Sequence, residues 1–105
     1  MKTYNKLVRD KIPQVIENNG ETPITRKLSD DEYKLELEKK LKEECQEVIE
    51  ASGSDRLEEL ADVLEVIKCL SSIENSNLEE VIKLANQKTA RRGSFKEKIF
   101  LEDVK

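Results

Sequence analysis

The sequence predicts an all-α fold: an antiparallel helical bundle with a short irregular N-terminal segment, completed by oligomerisation. Three observations carry that prediction. Apolar residues recur at helical spacing over three long stretches rather than in the alternation of strands. Each stretch opens on a capping signal: Ser29 with Glu32, Asp55 with Glu58, and Asn77 with Glu80. The middle stretch is apolar on two faces, more than a three-helix monomer readily covers.

The 105 residues are read as one domain, 1–105. Residues 1–9 form a short basic lead with Lys2, Lys6 and Arg9. A short helix is expected from about Lys11 to Asn18, because Pro13 suits a first turn and Asn19-Gly20 ends it. Residues 21–28 are extended, since Pro23 forbids helix there. The late run Lys98–Leu101 offers them a partner strand, although two strands so short make a marginal sheet. The Ser29 helix is expected to run to about Ala51 and to be closed by Gly53. The Asp55 helix should reach about Ser72, and the Asn77 helix Arg92, before Gly93. Short connections make neighbouring helices antiparallel.

Charged residues make up 40% of the chain and the net charge is −4, which does not suit a partner that is a nucleic acid polymer or an anionic membrane. The absence of histidine excludes imidazole acid–base catalysis and His-ligated zinc. Cys45 and Cys69 lie in apolar helical stretches and read as buried free thiols. The opening MKTYNKLVRDK has no apolar signal core, and no stretch has transmembrane length, so the cytoplasm is the expected compartment.

Most of the acids form a solvated face, but four do not. With about 100° between successive residues, Leu37, Leu41, Cys45 and Val48 form one apolar stripe. Glu44 falls inside it and Glu47 at its edge. On the Asp55 helix, Leu57, Ala61, Leu64 and Ile67 make one face and Val63, Val66, Leu70 and Ile73 the other. Glu59 and Asp62 fall on that second face. Each pair is spaced i, i+3, which puts both carboxylates on one side of its helix. An ionised carboxylate in a core-facing position is costly unless it is paired or metal-bound. Two readings fit. Either the acids pair with nearby lysines such as Lys40 and Lys68, or the two pairs face one another around a hard divalent cation. Magnesium is then the usual choice when a phosphate substrate supplies further oxygens.

Glu43-Glu44-Cys45-Gln46-Glu47, followed by Glu59-Leu60-Ala61-Asp62, resembles the E-E-x-x-E and E-x-x-D motifs of the all-α nucleotide pyrophosphohydrolases, which include MazG-type enzymes and phosphoribosyl-ATP pyrophosphohydrolase. Lys88-Thr89-Ala90-Arg91-Arg92-Gly93-Ser94-Phe95 is similar to the basic K-x-x-R-x-G-x-F ending of these proteins. The opening Tyr4-Asn5-Lys6-Leu7-Val8-Arg9-Asp10-Lys11-Ile12-Pro13 resembles that of a small MazG-like subgroup. The resemblance implies magnesium-dependent (or manganese-dependent) hydrolysis of a nucleoside triphosphate to monophosphate and pyrophosphate. It also implies that Glu44, Glu47, Glu59 and Asp62 are the metal ligands, that Glu43 supports catalysis, and that the active site forms in a homodimer or homotetramer.

Cations for the substrate phosphates are available in Lys88 and Arg91, which share a helical face, and in second rank Arg9 and Lys11. Lys88, Arg91 and Arg92 also complement the end of their helix. Tyr33 falls on the apolar stripe and reads as core, and Phe95 as packing for the chain end. Two other functions compete. Phosphoribosyl-ATP hydrolysis ranks second, because that enzyme type often has a glycine just before its Glu-Glu pair where this chain has Lys42. A non-catalytic helical dimerisation module is the alternative of another class, and the doubly apolar helix supports it.

Overall fold

The computed structural model of the chain describes residues 2–105. Its order of elements is α1 (Ile12–Asn18), α2 (Asp30–Glu50), α3 (Gly53–Ile73) and α4 (Leu78–Arg92). No β-strand occurs among the described residues, so the all-α expectation holds and the strand pairing of residues 21–28 with Lys98–Leu101 does not form. A turn explains this. Lys98 takes φ +60° and its N–H donates to the Phe95 carbonyl at 3.2 Å, and a left-handed residue cannot continue an extended run.

The helix ends follow the side chains that satisfy them. Ser29 Oγ accepts the Glu32 N–H at 3.3 Å while the Glu32 carboxylate accepts the Ser29 N–H at 3.2 Å, a complete capping box for α2. Asn77 accepts the Glu80 N–H at 2.9 Å and caps α4. The expected box at Asp55 and Glu58 is absent. Instead α3 begins two residues earlier, at Gly53, after Ser52, whose side chain makes no capping bond. Gly53 therefore opens α3 rather than closing α2. Its φ of +59° turns the chain sharply enough that Ala51 and Ser52 alone connect the helices. Arg56 fastens the turn: its Nε donates to the carbonyls of Val48 at 3.1 Å and Ala51 at 2.9 Å, where α2 leaves acceptors open.

The hairpin of α2 and α3 contains the core. Leu37 and Val66 are buried, as is Ser71. Leu41, Val48, Val63, Leu70 and Ile73 are half-buried. Cys69 is half-buried but Cys45 is exposed, which corrects the buried-thiol expectation for it. Relative to Leu37, Glu44 and Val48 lie within about 20° on the wheel and Cys45 about 80° away, at the stripe's margin.

The other face of α3 lies open, with Leu57, Leu60 and Leu64 all exposed. Helix α4 touches α3 alone among the helices, and every residue from Val81 to Arg92 is exposed. Phe95 is 98% exposed and packs against nothing, contrary to its expected role. The chain measures 62 × 33 × 25 Å with a radius of gyration of 18.1 Å, against about 13 Å for a compact domain of this length.

Candidate metal centre

The short connection between α2 and α3 sets their register. Tyr33, near the start of α2, lies by Cys69, near the end of α3, whereas Glu44 lies by Glu59 close to the turn. Carboxylate oxygens of Glu44, Glu59 and Asp62 all come within 4.8 Å of one another. Glu47 is outside that trio but close enough to hydrogen-bond with both Glu44 and Glu59 when a proton is shared. An acidic groove of about 360 Å³, lined by Glu47, Glu50, Ala51, Asp55, Glu58 and Glu59, continues from the cluster toward the turn.

This arrangement is under electrostatic strain. Desolvation raises the Glu44 carboxyl above its ordinary range, with Glu47 and Asp62 adding to the effect and Lys40 opposing it. The Glu59 carboxyl is raised first by its hydrogen bond with Glu47, then by desolvation and by the charges of Glu47, Asp62 and Asp55. Glu44 Oε2 and Glu59 Oε2 are buried without a hydrogen-bond partner. Three converging carboxylates, two of them with a buried oxygen that has no partner, are oxygen donors of the kind a hard divalent cation takes, so the residues present fit such an ion.

The lysine reading holds in part. Lys40 Nζ lies 3.9 Å from Glu44 Oε1, while Lys68 pairs with Glu65 at 3.8 Å and leaves the cluster alone. Arg9 also reaches it, donating from Nη2 to Asp62 Oδ1 at 2.8 Å. Glu43 is exposed and lines a separate groove with Asn5, Lys6, Lys39 and Lys42. Lys11 is exposed at the start of α1, where its carbonyl accepts the Val15 N–H. Lys88 and Arg91 are exposed on α4, which does not touch α2.

Sequence reasoning missed three features. The turn-fastening role of Arg56 depends on carbonyls that only the folded turn presents. The pairing of Arg9 with Asp62 spans 53 positions and leaves no local signal. A second polar group forms around Tyr33, whose phenol is pushed up to about 12 by burial first, then by the Cys69 thiol and the charges of Asp10 and Glu65.

A helical hairpin that gathers carboxylates from both arms into one cleft defines an all-α protein with the ligand set for a divalent cation. Residues 33–94, more than half of the chain, match the MazG nucleotide pyrophosphohydrolase domain, and the chain belongs to that family. Membership supports nucleotide pyrophosphohydrolase activity and a divalent metal in general terms. An uncharacterized protein of Mycolicibacterium smegmatis is 50% identical over 50 residues, which are 48% of this chain and 51% of that protein. The match thus spans about half the length of this relative. No solved structure matches the chain. No helix among the described residues is long and apolar enough to cross a membrane.

Proposed function

We propose that this protein hydrolyses a nucleoside triphosphate to nucleoside monophosphate and pyrophosphate, using magnesium held by Glu44, Glu47, Glu59 and Asp62. The observation that carries the proposal is the pair of buried, unpartnered oxygens, Glu44 Oε2 and Glu59 Oε2, in a cluster built from both arms of the hairpin.

The carboxylates of α2 and α3 hold one another in place through the fixed turn, so the ligand set is preorganised and little rearrangement accompanies binding. Bound magnesium would neutralise the phosphate oxygens and make a bound water easier to deprotonate. Water attacks a phosphoryl group, the α–β bridging bond breaks, and its electron pair leaves with pyrophosphate. The proton of the water passes to a carboxylate of the cluster. Arg9 is the cation that this chain brings to the cluster from outside the hairpin. Lys11 is a second candidate for the phosphates. Lys88 and Arg91 are too, but they stand exposed on α4, which touches α3 and not α2, so their part is proposed to depend on an assembly.

That assembly is proposed to be a homodimer or homotetramer, with a second copy covering Leu57, Leu60 and Leu64. The chain exposes 9797 Å², whereas a compact monomer of its length exposes about 6000 Å². The excess is larger than a standard protein–protein interface of about 1600 Å².

A panel of ribo- and deoxyribonucleoside triphosphates incubated with and without magnesium tests the activity. Pyrophosphate and the monophosphate are expected in equal amounts, and only with the metal. Orthophosphate and a diphosphate as products, or no turnover of any nucleotide by folded protein, would overturn the proposal.

A further inference from the structure

Arg9 stands outside the helical hairpin, yet its guanidinium ends on one of the carboxylates gathered inside it. Nη2 donates to Asp62 Oδ1 at 2.8 Å, and Asp62 is one of the three residues whose carboxylate oxygens converge within 4.8 Å. The cluster's other cation, Lys40, is held differently. It sits four residues before Glu44 on the same helix, 3.9 Å from its Oε1, so that pair is local to one arm of the hairpin. Arg9 belongs to the irregular lead, between half-buried Val8 and the turn in which the Arg9 carbonyl accepts the Ile12 N–H at 3.0 Å. Its backbone is therefore placed while its side chain stays free to turn. The side chain is 58% exposed and that of Asp62 41%, so water can replace either partner and the pair separates at little cost.

The guanidinium satisfies Asp62 but not the rest of the cleft, where Glu44 Oε2 and Glu59 Oε2 remain without partners. It is thus a partial substitute for a cation among the three carboxylates. Its planar fork of donors is equally suited to phosphate oxygens.

From this placement we infer that Arg9 is an exchangeable counter-ion: it holds Asp62 in the metal-free protein and moves to a phosphate oxygen of the nucleotide once Asp62 is engaged as a ligand. The inference rests on the metal-site reading above and deepens it, because it makes Arg9, ahead of any residue of α4, the first phosphate contact that the chain supplies to its own cluster. No covalent bond changes. One ion pair with a carboxylate is exchanged for one with a phosphate.

The test measures manganese binding to the full chain by electron paramagnetic resonance, alone and with a nucleoside triphosphate analogue carrying a methylene bridge between its α and β phosphates. Wild type, Arg9→Gln, Arg9→Lys and Glu59→Gln are compared, with circular dichroism to verify the fold. Arg9→Gln should bind manganese alone as tightly as wild type or up to about fivefold more tightly, since Asp62 gives up no partner. Its affinity for the analogue with manganese should fall about tenfold or more, the loss of a charge-assisted hydrogen bond. Arg9→Lys should recover part of that loss. The exchange is overturned if Arg9→Gln weakens manganese binding in the absence of the analogue, or if its analogue affinity stays within about twofold of wild type. Glu59→Gln separates the two levels. If it binds manganese as wild type does, the metal site and the exchange both fall. If it loses manganese while Arg9→Gln leaves the analogue untouched, only the exchange falls.

Discussion

Glu59 and Glu44 are held in positions that make their charged forms costly, and their behaviour should show it. Both carboxyls titrate above their ordinary range in the folded chain, Glu59 chiefly through Glu47 and Glu44 chiefly through burial. Between the unfolded carboxylate pKa, about 4.3, and the raised folded values, the folded state binds more protons than the unfolded one. These two groups therefore stabilise the metal-free protein below that window, and their contribution is lost as pH rises through it. Glu32 works in the opposite sense. Its carboxyl is lowered to about 2 by the Arg26 guanidinium and the Ser29 backbone, so its contribution is present at neutral pH and is lost as pH falls toward that value. Thermal melts of metal-free protein from pH 4.5 to 8 should show a smaller fall in stability for Glu59→Gln than for wild type, because the amide removes one titrating charge. Turnover by the same variant should drop by about a hundredfold or more, the scale seen when a group supporting metal or transition-state charge is lost. A Glu59→Gln enzyme as active as wild type would remove that residue from the site. Glu44, Glu59 and Asp62 could be found in the sequence because each sits where its helix otherwise presents apolar residues, and Glu47 because it lies one turn on from Glu44 at the edge of the stripe. Their cationic partners could not all be found that way. Lys40 is four residues from Glu44 and thus readable, whereas Arg9 meets Asp62 only in the folded chain.

At the scale of the elements, the turn between α2 and α3 is the part that aims the carboxylates. Gly53 adopts φ +59°, and Gly53→Ala should lower stability by about 1 kcal/mol from left-handed strain. Arg56→Ala removes the donor shared by the Val48 and Ala51 carbonyls and should cost a further ~1 kcal/mol. Urea unfolding midpoints measure both. Each variant should also lose affinity for metal, since this turn, with the packing of α2 on α3, sets the positions of Glu44 and Glu47 relative to Glu59 and Asp62. The capping signals at Ser29 and Asn77 were readable because the side chain and the N–H it accepts are three residues apart. Asp55 and Glu58 carry the same spacing without the bond. The left-handed glycine let α3 start earlier, and that depends on how two helices pack, not on a local pattern. The pairing of residues 21–28 with Lys98–Leu101 failed for a similar reason: a turn at Lys98 ends the late run.

At the scale of the whole molecule, the exposed face of α3 and the splayed α4 leave the chain with too little core of its own. Among the described residues, only Leu37 and Val66 are buried apolar residues. The doubly apolar character of α3 was visible in the sequence, and the structure shows which face the hairpin leaves open: Leu57, Leu60 and Leu64. Light scattering coupled to gel filtration should find a homodimer or homotetramer, and Leu64→Asp should shift the population toward monomer or unfolded chain. A monomeric, stably folded wild type would contradict the assembly. Which residues of the proposed second copy would cover that face was not legible, because one chain does not record the contacts made by two.

The most direct test of the account is a calorimetric titration of magnesium into the wild-type protein and into Glu44→Gln and Glu59→Gln. Wild type should bind magnesium saturably, and both variants should lose that binding. Binding that survives both substitutions unchanged, or that is absent from the wild-type protein, would contradict it.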